Sequence, residues 1–222
     1  MDRNSTKTRG RQMTIGVIGS GNVGGALGTR WAAKGHQVLF GSRDPRADDM
    51  KQLVAAAGKT ARAATLQETA KNAEVLLLAM PWPVTKDVLG GLGDLSGKIL
   101  IDATNPLLPD LSGLALGTTT SGAEQVAGWA RGATVVKAFN TIGNNIMANT
   151  SFGADRPALF YCGDDAAAKQ TVKQLAEEIG FEALDAGPLQ QARLQEPFAL
   201  LWISLALQQR WGREFAFKVL RR

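Results

Sequence analysis

Residues 14–24 read TIGVIGSGNVG, and the fold turns on that stretch. An apolar, β-branched run, Thr14–Ile18, passes without a linker into Gly19, Gly21 and Gly24 in GxGxxG register. Val23, Leu27 and Trp31 then fall at helical spacing, and Gly35 stands where a helix C-terminal cap belongs. In a strand–turn–helix setting each glycine has a task. Gly19 permits the tight turn, Gly21 lets the backbone approach a pyrophosphate, and Gly24 allows the helix to pack closely on the strand. The N–H groups around Ser20, Gly21, Asn22 and Val23 then face an anion at a helix N-terminus, where unpaired donors and the helix dipole favour negative charge. A glycine turn with no ligand is the alternative.

Outward from this unit, short apolar runs keep alternating with stretches of helical character. Eight strands are expected: Thr14–Ile18, Gln37–Gly41, Ala61–Thr65, Val75–Met80, Ile99–Asp102, Thr134–Ala138, Ala158–Cys162 and Glu182–Asp185. Ser121 and Glu124 have capping-box spacing, and Gly180 closes an amphipathic run that starts at Ala166. The expected fold is α/β, a Rossmann-type doubly wound and mainly parallel sheet of about eight strands, with helices on both faces and a C-terminal helix. Residues 1–12 read as a flexible basic tail, 13–150 as the nucleotide-binding domain, and 151–222 as a C-terminal α/β extension carrying an interface helix.

Composition closes off other classes. The net charge of +5 resides at the ends. Arg3, Lys7, Arg9 and Arg11 outnumber Asp2 at one, and Arg210, Arg213, Lys218, Arg221 and Arg222 outnumber Glu214 at the other, leaving the middle slightly acidic. Nothing resembles a basic module for nucleic acid. One cysteine, Cys162, and one histidine, His36, exclude a disulfide framework and Cys- or His-rich metal sites. With no long apolar segment and no signal-peptide pattern, a cytoplasmic protein is expected.

The second apolar run ends as VLFGSR, residues 38–43. An NAD-type fold places a carboxylate about 20 residues beyond the loop to take the ribose 2′-hydroxyl. Ser42 and Arg43 stand there instead, and a guanidinium with a hydroxyl suits a 2′-phosphate. At roughly 1.5–3 kcal/mol for a hydrogen bond to a charged group, Arg43 alone favours NADP over NAD by about ten- to a hundredfold. Asp44 follows directly, and a displaced turn would offer it to a ribose; a merely solvated Arg43 is the other alternative.

With GSRDP (41–45), AMPW (79–82), VVKAFNTI (135–142), CGDD (162–165) and LDAGPLQQARLQEP (184–197) read in order, the chain from about 13 to 222 resembles the NADP oxidoreductases that reduce the deazaflavin coenzyme F420. It is also similar to the cytosolic domain of the STEAP-type metalloreductases, which takes hydride from NADPH and passes it to a flavin. DATNPL (102–107) and KAFN (137–140) are closer to that domain. The resemblance implies NADP as cofactor and coenzyme F420 or a flavin as acceptor. It places Ser20, Gly21, Asn22 and Val23 on the pyrophosphate, Ser42 and Arg43 on the 2′-phosphate, Ala79 and Met80 along the ribose and nicotinamide, and Asn105, Ala138 and Asn140 near the ring.

Hydride passage between two ring systems needs stacking and no obligatory side-chain acid, so no catalytic residue and no metal ligand is assigned. His36 reads as a helix-end residue and Cys162 as a buried thiol. Lys137 reads either as a proton donor or as a solvated edge lysine, and Asp102 and Asp185 either as ligand-facing or as turn residues. Arg193 and Glu196, at i,i+3 spacing, are expected to pair with each other or to cap the Asp185 loop. PFALLWISLAL (197–207) is apolar almost all round, and Trp211, Phe215 and Phe217 follow. More apolar surface than one small domain covers points to a homodimer, with a peripheral membrane contact as the lesser reading. Two other functions stay open: a reductase of small carbonyls or imines, and an NADP-binding sensor or docking module without turnover.

Overall fold

A computed structural model describes residues 11–222. The eight expected strands are all present: β1 (Thr14–Ile18), β2 (Gln37–Ser42), β3 (Ala61–Thr65), β4 (Val75–Leu78), β5 (Ile99–Asp102), β6 (Thr134–Lys137), β7 (Ala158–Gly163) and β8 (Glu182–Asp185). They form one sheet in the order β3-β2-β1-β4-β5-β6-β7-β8. Every neighbouring pair is parallel except β6 with β7, which run antiparallel. The two strands from the 151–222 stretch thus extend the same sheet.

Helices α1 (Asn22–Ala33), α2 (Asp48–Ala57), α3 (Leu66–Asn72), α4 (Trp82–Gly90), α5 (Gly122–Trp129), α6 (Asn144–Ala148), α7 (Ala166–Glu178) and α8 (Ala192–Ile203) lie between and after the strands. Because successive strand residues face opposite ways, the sheet carries two cores. Leu77 joins Val17, Trp31, Phe40 and Val172 on one face, while its neighbours Leu76 and Leu78 join Leu89, Leu100 and Val126 on the other. Trp31 is fully buried and donates its indole N–H to Leu175 O at 3.0 Å, tying α1 to α7.

The chain order reverses between β1 and β4, so the loops after these strands part and leave a crevice at their C-terminal ends. β4 and β6 stop short of the expected Met80 and Ala138. Pro81, at the N-cap of α4, takes the chain out of β4, and Phe139, at φ +65°, turns it sharply after β6.

Of the expected 1–12 tail, residues 1–10 lie outside the described residues. Arg11 pairs with Glu74, and Gln12 donates to Gly35 O. At the other end α8 passes into a five-residue π turn, Ser204–Gln208, and the chain then folds back. Phe215 stacks on Trp202 with centroids 5.2 Å apart, Phe217 lies 4.7 Å from Phe198, and Ala158 N donates to Phe217 O. Two of the three tail aromatics are therefore spent within the subunit. Among the described residues, no helix is long and apolar enough to cross a membrane.

Candidate functional site

The glycine loop is built for close approach. Gly19 has φ +102°, and a Cβ there would lie 2.2 Å from Ala79 O. A Cβ on Gly24 would lie 2.0 Å from Gly19 O and 2.7 Å from Val17 Cγ1, so helix and strand meet backbone to backbone. On Gly21 it would meet nothing within 4 Å, which leaves the loop open on the side an anion must approach. Gly21 is also the N-cap of α1, with no capping side chain and no acidic residue in the first turn. The first amides of α1 are consequently unclaimed by any side chain, as a pyrophosphate site requires.

Three cavities run along the C-terminal ends of the strands. One of about 510 Å³ is lined by Gly19, Ser20, Ser42, Arg43 and Met80 among others. The next, about 570 Å³, is bounded by Gly21, Asn22, Val23, Ala79, Met80 and Asn105. A third, about 240 Å³, continues past Asn105 to Asn140, Trp202 and Arg213. Met80 is shared by the first two and Val23 and Asn105 by the last two, so the three adjoin in one row, a trough along the strand ends. Eleven expected site residues meet along it. The twelfth, Ala138, is fully buried in the core and lines none of these cavities; its neighbours Phe139 and Asn140 do.

At the head of the trough Asp44 is engaged by its own turn. Asp44 Oδ1 accepts from Arg46 N at 3.0 Å, and Asp44 N donates to Ser42 Oγ at 3.1 Å. No carboxylate from the end of β2 reaches that cavity, and Arg43, exposed, makes no ion pair among the described residues.

The floor of the trough is held from behind by two polar chains. In the first, Asn105 donates to Asn140 O at 2.9 Å and Asn140 returns a bond to Asn105 Oδ1 at 3.0 Å. Gln195 of α8 donates to Asn140 Oδ1 and to Phe160 O, both at 2.8 Å. In the second, Lys137 Nζ sits between Asp102 Oδ2 and Glu196 Oε1, each 2.9 Å away, and donates to Thr104 O at 2.6 Å. Asp102 Oδ1 accepts from both the amide and the hydroxyl of Thr104. Burial is the largest influence on the ammonium of Lys137 and draws its pKa down; Asp102 and Glu196 together outweigh it and hold the pKa above the ordinary lysine value.

These contacts revise several expectations. Lys137 is neither a solvated edge residue nor in contact with the trough, but the centre of a buried ion cluster. Asp102 belongs to the same cluster. Asp185 serves its turn, accepting from Gly187 N at 2.8 Å and pairing with Lys169. Arg193 and Glu196 do not pair with each other or cap the Asp185 loop. Arg193 forks onto Glu124 at 2.9 and 2.6 Å, which holds that carboxyl below the usual range, while Glu196 caps α5 by accepting from Gly122 N and Ala123 N. His36 is buried just beyond the end of α1, between Met13 N and Glu178, and lines none of the three cavities. Cys162 is buried, and burial pushes its thiol up to about 12.

Beside the trough, the sequence reading did not single out Phe139, Trp202 and Arg213, which line it, or Gln195, which holds Asn140 from behind. Phe139 is a bulky residue at positive φ, held by edge contacts with Trp31 and Phe181. Such backbone strain persists where surroundings over-determine it, and here it turns Asn140 toward the trough. Among the described residues, no group of three or more His, Cys, Asp or Glu could hold a metal ion.

The family described as NADP oxidoreductase, coenzyme F420-dependent, matches residues 14–106. Beyond that segment, the F420-dependent NADP reductase of Methanothermobacter marburgensis is 32% identical over 212 residues, covering 89% of this chain and 94% of that protein. The chain belongs to the F420-dependent NADP reductase family. A solved structure assigned as an F420-dependent NADP reductase of Arthrobacter sp. FB24 superposes with a TM-score of 0.84 at 31% identity, covering 94% of this chain and all of that one. The metalloreductase STEAP3 of Rattus norvegicus is also 32% identical, over 186 residues, but the chain spans only 36% of its length. The F420-dependent NADP reductase relation therefore covers 89% of the chain and nearly the whole of that relative, whereas the STEAP relation covers 84% of the chain and one part of a larger protein.

Proposed function

We propose that this oxidoreductase moves hydride between NADP(H), lying along the trough, and a deazaflavin- or flavin-type ring. The observation that carries the cofactor is the head of the trough, where Ser42 and Arg43 line the cavity and the β2-end carboxylate that would serve a ribose 2′-hydroxyl is turned away. Family membership supports NADP and coenzyme F420 as the pair.

Bound NADPH supplies the hydride. In this reading Arg43 and Ser42 hold its 2′-phosphate, the amides of Ser20, Gly21, Asn22 and Val23 hold its pyrophosphate, and Ala79 and Met80 border its ribose. Asn105 and Asn140, locked by their mutual bonds and by Gln195, offer fixed amide groups beside the nicotinamide. The residues lining the second and third cavities include no Asp, Glu, His, Lys, Tyr or Cys. That composition favours a ring acceptor, which spreads incoming charge over itself, above a small ketone or imine, whose reduction gains about 10²–10⁴-fold from a placed acid. Anaerobic oxidation of NADPH followed at 340 nm with deazaflavin, flavin mononucleotide and a panel of ketones and imines tests it. Turnover with the tricyclic rings is expected, and rapid ketone reduction with inert rings would overturn the reading.

The C-terminal surface supports a second proposal, a homodimer. Leu194, Leu201 and Leu207 are 70%, 49% and 43% exposed, and Trp211 is 64% exposed, although Phe215 and Phe217 pack inside the subunit. Leu194 also borders an apolar groove with Phe160 and Phe198. Leu194 and Leu201 stand seven residues apart on α8 and so share one helix face, an apolar stripe that a second copy of the chain could cover. Light scattering at micromolar concentration is expected to give twice the chain mass, and Leu201→Asp to give the mass of one chain.

A further inference from the structure

The third cavity carries a charge pattern that the cofactor reading leaves unused. Its walls are largely apolar, with Phe139, Met147 and Trp202 among them, but they also carry the amides of Asn105, Asn140 and Asn144; its one charged lining residue is Arg213. The chain is shaped to bring that residue there. Arg210 and Gly212 have φ of 59° and 76°, reversing the chain after the π turn. Asn145 Nδ2 then donates to Arg213 O at 2.7 Å and to Glu214 Oε1 at 2.8 Å. Trp202 donates to Phe215 O and stacks on its ring, closing the far side of the reversal. The same amide that fixes Arg213 thus also occupies its neighbouring carboxylate. Among the described residues, the guanidinium itself has no ion pair or hydrogen-bond acceptor, and no carboxylate lines the cavity.

A largely apolar slot ending in one unneutralised guanidinium matches a flat aromatic body bearing an anionic arm. Arginine is suited to a phosphate, which it can grip through two parallel N–H bonds; Arg213 is itself exposed, so the contact stands at the mouth of the slot, where salt screens it. The slot adjoins the cavity assigned to the nicotinamide side, sharing Val23, Ala103, Asn105 and Leu111 with it. We propose that Arg213 is the acceptor-specificity residue, binding a phosphate on the side chain of the ring acceptor, so that phosphorylated deazaflavins and flavins are preferred over their neutral counterparts. This inference rests on the ring-acceptor reading above.

Flavin mononucleotide and riboflavin make the test, since they share one ring and differ by the phosphate. Binding of each to NADP⁺-loaded protein is measured by flavin fluorescence, and kcat/KM for each by anaerobic NADPH oxidation. The wild type is expected to favour flavin mononucleotide by about tenfold in both, the effect of one charge-assisted bond. Arg213→Gln is expected to bring the ratio near one, and Arg213→Lys to keep part of it. Because the ratio is internal to each protein, a smaller folded fraction of a variant does not move it. A wild-type ratio near one, an unchanged ratio in Arg213→Gln, or an equal weakening of NADPH in that variant would overturn the assignment. If neither flavin, nor the corresponding deazaflavin pair, binds or turns over with the wild type, the ring-acceptor reading itself falls.

Discussion

Lys137→Met is expected to lower the unfolding free energy by about 3–5 kcal/mol, the range for breaking a buried ion pair by removing one partner. The side chains of Lys137, Asp102 and Glu196 are all within 1% of complete burial, so neither carboxylate left behind can turn to water. Methionine fills much of the volume and removes only the charge, which separates the ionic effect from a packing defect. For a chain of this size such a loss lowers the melting temperature by about 6–20 °C. The pH dependence follows from the sign of the lysine's shift. Its pKa is raised above 10.5 in the folded protein, so its contribution is fully present below 10.5 and fades only as pH climbs through the folded value. The gap in melting temperature between wild type and variant should hold steady from about pH 6 to 9 and narrow above about pH 10.5. Thermal unfolding across that series decides the matter. A gap worth less than about 1 kcal/mol would mean that Thr104 and the α5 amides satisfy the two carboxylates without the lysine.

That cluster also shows where the sequence stops being readable. The strands and the glycine loop were legible because their signals are local: a continuous apolar run such as VLLL in β4, or glycines whose spacing answers to one turn. Lys137 beside Val135 and Val136 gave an alternation that fits an edge or a core equally well, and what decides is α8, which arrives from far along the chain. Arg193 and Glu196 misled for the converse reason. Their i,i+3 spacing is a real local attraction, but it is worth only about 0.2–0.5 kcal/mol. The open amides of Gly122 and Ala123 and the forked partner Glu124 offer each of them more. Phe215 and Phe217 read as surplus surface because aromatic content says nothing of direction; the reversal at Arg210 and Gly212 folds both back onto α8. Arg213 was invisible for that same reason, being counted only as one charge in a basic tail.

Ser42 and Arg43 are the opposite case, a functional reading that rests on two adjacent residues, and Arg43→Ala tests it most sharply. The variant is expected to bind NADPH about 10- to 100-fold more weakly, from the roughly 1.5–3 kcal/mol of hydrogen bonding to a charged group. NADH should be almost untouched, since the two cofactors differ only by the 2′-phosphate. Arg43 is exposed and makes no ion pair with the described residues, so its removal leaves no buried carboxylate unpaired and should spare the fold. The remaining selectivity should be small, with Ser42 alone at the end of β2 and Asp44 still turned onto Arg46 N. Raising salt should mimic the substitution in the wild type, because a solvent-facing phosphate contact is screened. Calorimetric titration of both cofactors into both proteins supplies the four affinities needed. An equal loss for NADPH and NADH would show that Arg43 shapes the β2 turn and leave the phosphate without its partner. Equal wild-type affinities would remove the case for NADP at the head of the trough altogether.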